Sequence, residues 1–121
     1  MKKLYLALTT VAVLLATPAL AIDFNQELKQ LNGQSFTDAD GKEQKTTLGQ
    51  ICEQALLASY PDEKELSGAE KFQRWQLATK VKGPDGNLSS EDLTKLKMLI
   101  GKAFPPLVVG QAWKMLDPGA K

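Results

Sequence analysis

Four groups of acidic residues in this 121-residue chain have types and spacings that invite a chemical reading. Asp62, Glu63 and Glu65 surround Lys64, and Glu91 and Asp92 are adjacent. Asp85-Gly86-Asn87 leads through Ser89 to Asp92 with the rhythm of the second half of a calcium loop, and Asp38, Asp40 and Gly41 imitate another. A pair of carboxylates facing one another supports general acid–base hydrolysis. Neighbours along a helix do not face one site, however, and acids collect at helix starts because the helix dipole favours them there. The calcium readings are weaker at their ends. In the first loop the opening ligand places fall on Val81 and Gly83; in the second the opening place falls on Phe36 and the closing place on Thr47. A calcium loop needs several carboxylates and a bidentate closing one. These acids therefore read as solvated charge at helix starts and in a connector.

The rest of the composition points away from catalysis. There is no histidine, which removes the commonest general base and metal ligand, and the single cysteine, Cys52, cannot build a zinc, haem or iron–sulfur site alone. No Gly-rich phosphate loop, G-x-S-x-G elbow or Ser-x-x-Lys pattern occurs after residue 21. The expectation is a chain that is not an enzyme and has no metal or other cofactor.

Binding chemistry is left to the aromatics. Trp75, Trp113, Phe72 and Tyr60 could form a contact platform, since such residues dominate protein interfaces. A small domain also needs large apolar side chains inside, which assigns Phe72 and at least one tryptophan to the core. Trp113, on the last helix, is the tryptophan expected to be partly exposed. Trp113, Tyr60 and Trp75 are the candidate protein-binding residues.

Four helices would position these side chains. Thr47 and Gln50 form a capping box before Leu48, Ile51, Cys52, Ala55 and Leu56. Ser67 and Glu70 open a second helix, whose Phe72, Trp75, Leu77, Ala78 and Val81 spread around more than half of its circumference, as in a helix sandwiched between neighbours. Ser89 caps a third, with Leu93, Leu96, Leu99, Ile100, Ala103 and Phe104 at helical spacing. Pro105-Pro106 ends it and starts a fourth, with Val109, Ala112, Trp113 and Leu116 on its apolar stripe, closed by Asp117-Pro118-Gly119. The Leu88–Leu116 pair reads as the unit that the rest covers. Upstream, Asn32-Gly33 and Asp38–Gly41 are turn signals, so Ile22 to Lys45 is expected to form a small hairpin or an extended arm. The fold class is mainly α: a compact four-helix domain over residues 22–121.

Residues 1–21 stand apart. A basic start at Lys2-Lys3, an apolar run from Leu4 to Thr17 and a small-x-small ending at Ala19-Leu20-Ala21 form a signal-peptide pattern cleaved after Ala21. The run is shorter than the roughly 20 apolar residues that span a bilayer, so no stable membrane insertion is expected after cleavage. The chain carries 15 basic and 14 acidic residues, and loss of Lys2 and Lys3 leaves 13 against 14. Such balance gives no field to attract nucleic acid, and a partner is recognised by shape. Cys52 is far from the cleavage site, which excludes a lipoprotein anchor, and it lies among apolar neighbours as a small buried hydrophobe. The expected location is periplasmic or secreted.

Three runs carry a resemblance. Leu66-Ser67-Gly68-Ala69-Glu70-Lys71-Phe72-Gln73-Arg74, Leu88-Ser89-Ser90-Glu91-Asp92 and Ile100-Gly101-Lys102-Ala103-Phe104-Pro105-Pro106-Leu107-Val108-Val109-Gly110-Gln111-Ala112 resemble small bacteriophage and prophage proteins of about this size. The resemblance implies a phage context and supplies no mechanism. Proteins of that group begin near the position of Ile22, whereas this chain has an export signal in front of it. The sequence thus supports an exported, non-enzymatic helical protein that binds a protein in the cell envelope, for superinfection exclusion or modulation of an envelope protein. The alternative is a virion morphogenesis accessory, such as a tail or head assembly chaperone.

Overall fold

The computed structural model describes residues 22–83 and 87–117. The signal segment, the Pro84–Gly86 turn with its calcium-like Asp85, and the Pro118-Gly119 stop lie outside the described residues. Helix is the dominant structure among those described, in four segments: α1 (Leu48–Leu57), α2 (Gly68–Lys82), α3 (Ser90–Ala103) and α4 (Pro106–Leu116). The fold is mainly α, as expected.

Local chemistry sets the helix ends. The Gln50 amide donates to Thr47 Oγ1 at 3.3 Å and the Thr47 amide donates to Gln50 Oε1 at 3.2 Å, a reciprocal capping box that satisfies two orphan donors. At α2 only half of that motif forms. Ser67 Oγ accepts from the Glu70 amide at 3.1 Å, while the Glu70 carboxylate turns away to meet Lys95 at 2.8 Å. Ser89 Oγ caps α3 through the Asp92 amide at 3.1 Å. Pro106 occupies the first position of α4, where a missing amide hydrogen costs nothing.

The segment before α1 folds as a nested antiparallel ribbon. Strand β1 (Glu27–Leu28) pairs with β4 (Thr46–Thr47), and between them β2 (Phe36–Thr37) pairs with β3 (Glu43–Gln44). Both turn signals are real. Gly33 at φ 86° and Gly41 at φ 80° take left-handed conformations that disfavour any side chain. At the second turn, Asp38 Oδ1 accepts the amides of Asp40 and Lys42, each at 2.9 Å, so this carboxylate is used to close the turn. The ribbon also caps α1: the Leu48 amide donates to Gln26 O and the Gly49 amide to Phe24 O, both at 2.8 Å. At the other side, the Gln111 amide on α4 clasps the backbone of Lys29, accepting from its N–H at 2.9 Å and donating to its carbonyl at 2.6 Å.

The core corrects the sequence reading in two respects. Its centre is α1, which packs against α2, α3, α4 and β4. Leu48, Ile51, Cys52, Ala55 and Leu56 are all buried, while Gln50, Gln54 and Leu57 face solvent on the opposite side. The α3–α4 pair is one wall of the core: α3 brings in Leu96, Leu99 and Ile100, and α4 brings in Ala112 and Leu116. Second, α2 is not sandwiched. Only Arg74, Leu77, Ala78 and Val81 are buried along it, and Phe72 and Trp75 are 56% and 54% exposed. The geometry is simple: at 100° per residue, Phe72 lies roughly 140° around the helix from Leu77, so one flat contact with α1 cannot cover both.

This arrangement predicts where substitutions hurt. Leu56→Ala, at the centre, is expected to lower unfolding free energy by about 2–5 kcal/mol in urea denaturation, through lost burial and a residual cavity. Leu31→Ala, at a ribbon tip that is 95% exposed, is expected to change it by no more than about 0.5 kcal/mol. Equal effects at the two sites would contradict the assignment of α1 as the hub.

Candidate protein-binding face

The three candidate aromatics land in three different settings, and among the described residues they do not build one platform. Tyr60 follows the end of α1. Its hydroxyl donates to the carbonyl of Ala55 in the last turn of α1 and lies 3.3 Å from that of Leu99 on α3, so it ties two helices together. Its ring lies 6.0 Å from the Arg74 guanidinium and 5.4 Å from the Lys102 ammonium, distances that suit cation–π attraction. Tyr60 is thus a half-buried joint.

Around that joint runs an ion-pair network that the sequence reading had treated as solvated charge. Arg74 is buried and holds Glu63 in a two-pronged contact, Nη1 to Oε1 at 2.9 Å and Nη2 to Oε2 at 2.6 Å. Lys102 of α3 joins Asp62 at 2.9 Å and Glu63 at 3.4 Å. Hydrogen bonding from the Arg74 guanidinium, with further help from Lys102, pulls the Glu63 carboxyl down to about 2. Burial is the leading cause of the upward shift at Tyr60. The connector acids therefore fasten the α1–α2 loop to two helices, and a fork-shaped guanidinium is the group able to do so. A depression of about 450 Å³ opens beside this network, walled by Leu57, Leu66, Lys64 and Lys71 as well as by Tyr60 and Arg74.

Trp113 lies across α3. Its indole N–H donates to the carbonyl of Lys97 at 3.0 Å, and the Lys97 ammonium sits 5.0 Å from the ring. Gly101 lies beside it, and a Cβ there would stand in ordinary contact, 3.5 Å from the indole. The residue is 40% exposed, with one face packed and one open.

Trp75 is in a different position altogether. It stacks on Phe72 with centroids 5.8 Å apart and planes 21° from parallel, and both rings project from the side of α2 that faces away from α1. Phe72 was assigned to the core by the sequence reading, and the structure reverses that assignment. The signal that could have placed it is positional: Phe72 and Trp75, three residues apart, share a side of the helix that Leu77, Ala78 and Val81 do not. The neighbouring helix does not cover this pair. α2 and α3 are bridged by Lys80 to Asp92 at 3.3 Å and by Lys95 to Glu70 and Gln73, long polar side chains that span a gap.

Redox and metal chemistry find no centre among the described residues. Cys52 is fully buried, and that burial pushes its thiol up to about 12, so it stays protonated and unreactive. No group of three or more acidic, cysteine or histidine side chains is placed to hold a metal ion among the described residues. What the surface offers is an exposed, stacked aromatic pair.

The depressed carboxyl of Glu63 makes acid stability a test of the joint. A carboxyl lowered by folding contributes stability above its unfolded value near 4.5, and that contribution is lost as the pH falls toward about 2. Denaturation midpoints of the native chain are expected to drop over this window, and those of Glu63→Gln to start lower and vary less with pH. A variant with the same acid profile as the native chain would contradict the assignment. Comparison of the chain with protein-family models, with curated proteins and with solved structures finds no match.

Proposed function

We propose that this chain is a small exported, non-enzymatic protein of phage or prophage context that binds a protein partner in the cell envelope, with the α2 aromatic pair as its principal contact. The observation that carries this reading is the Phe72–Trp75 stack, two large apolar rings held against each other on an otherwise polar helix surface. Stacking restricts the rings relative to free side chains, which lowers the side-chain entropy lost on docking. Aromatic anchors of this kind supply most of the binding energy at protein interfaces.

The compartment follows from the leader pattern of residues 1–21, with its basic start and small-x-small ending. No helix among the described residues is long and apolar enough to cross a membrane, which fits a chain released after processing. With charge near balance after Ala21, association is governed by fit rather than by long-range attraction. Superinfection exclusion or modulation of an envelope protein are roles of this type.

The test is a photo-crosslinking residue at position 75 of the full chain, expressed in bacteria and followed by fractionation. A processed chain beginning at Ile22, found outside the cytoplasm and crosslinked to a protein of that compartment, with the adduct abolished by Phe72→Ser, is the expected result. Unprocessed chain in the cytosol, or adducts confined to capsid or tail proteins, would overturn it and favour the assembly accessory.

A further inference from the structure

We infer that leader removal and folding are ordered: the bond after Ala21 is cut while residues 22–29 are still undocked, and a chain that folds first shields that bond from the peptidase. The inference rests on the reading of residues 1–21 as a cleaved leader, and it adds the state in which the chain is processed.

The argument begins at the residue after the cut. Ile22 is half-buried against the core, and Phe24 is buried in it. Between them, the Asp23 carbonyl accepts from the Gln26 side chain at 2.9 Å and from the Gln26 amide at 3.4 Å, while the Asp23 carboxylate takes the Asn25 amide at 2.9 Å. The Phe24 and Gln26 carbonyls are the ones that cap α1, and β1 follows at once. Phe24 lies so close to α1 that a Cβ on Gly49 would stand 3.1 Å from its carbonyl oxygen. The same segment shares a depression of about 380 Å³ with Val81, Lys82 and Gly83 at the end of α2. No free linker separates Ile22 from the folded body.

A peptidase holds its substrate as an extended strand, and main-chain hydrogen bonds supply much of the grip. In the folded chain the Asp23 and Phe24 carbonyls already have donors, and the Phe24 ring would have to leave the core to reach an enzyme cleft. Cutting the folded chain therefore requires this segment to open first. The rate then follows the population of the opened state.

Chain order gives the unfolded route its lead. The docking partners of the segment lie downstream: Leu48 and Gly49 at the start of α1, and Gln111 on α4, which clasps Lys29 across 82 residues of sequence. A chain delivered from its amino terminus presents the cut site before Gln111 arrives, and contacts of such separation form slowly. The basic start is Lys2-Lys3, without the twin arginine of leaders that direct folded chains.

The test is the full-length chain in detergent micelles with purified bacterial leader peptidase, with helical circular dichroism marking the folded state. The unfolded comparison is Leu56→Asp with Leu99→Asp, two charges that the core cannot hold and that lie away from the cut. The unfolded chain is expected to be cut after Ala21, and the folded native chain about 10- to 100-fold more slowly. A spacer of about ten glycine and serine residues between Ala21 and Ile22 is expected to bring the folded chain within about twofold of the unfolded one, since it moves the bond off the docked segment without altering the domain. A native chain that gains its helices only after cutting gives the same order. Equal rates for folded and unfolded chains, or protection that persists with the spacer, would overturn the inference and leave the leader reading standing. A chain cut at Ala21 in neither state removes the leader reading, and the inference with it.

Discussion

One short helix has only so much circumference, and the buried side of α1 is the surface that the other helices and the ribbon use. Leu48, Ile51, Cys52, Ala55 and Leu56 form the apolar band on which α2, α3, α4 and the ribbon lean, and these residues are almost completely removed from water. Burial of that band is the main favourable term available to a domain of this size without a disulfide. The arrangement also decides what is left over. Because α1 takes one side of α2 and the α2–α3 gap is spanned by salt bridges, the bulkiest residues of α2 have nowhere to go but outward.

Polar contacts then fix how the layers sit. Tyr60, Arg74, Glu63 and Lys102 lash the α1–α2 connector to α3, and Gln111 holds the ribbon to α4 by imitating a neighbouring strand. The ribbon in turn supplies carbonyls to the start of α1. These ties join separate elements, and their buried polar groups find partners except for Arg74 Nε, which makes no hydrogen bond and faces Glu70 Oε1 at 3.5 Å.

Local features were legible because their causes are local. Thr47 with Gln50, Ser89 with the Asp92 amide, the Pro105-Pro106 break and the Gly33 and Gly41 turns follow from a few adjacent residues, and the helices and ribbon stand where those signals put them. The hub was not legible. α2 carries apolar residues on two sides, Phe72 and Trp75 against Leu77, Ala78 and Val81, and nothing within the helix says which side the core will claim. Size argued for the aromatics, whereas the contact with α1 selected the smaller residues. Arg74 and Glu63 were equally hidden, since eleven residues of sequence separate a pair that only the folded loop brings together.

The central claim is that the α2 aromatic pair stands outside the folded core. The most direct measurement is tryptophan fluorescence of a dilute Trp113→Phe variant, in which Trp75 is the sole emitter, with quenching by acrylamide. The account predicts water-like emission and ready quenching in the native state, changing little when the chain is unfolded in urea. A blue-shifted, quench-resistant Trp75 that becomes accessible only on unfolding would contradict it.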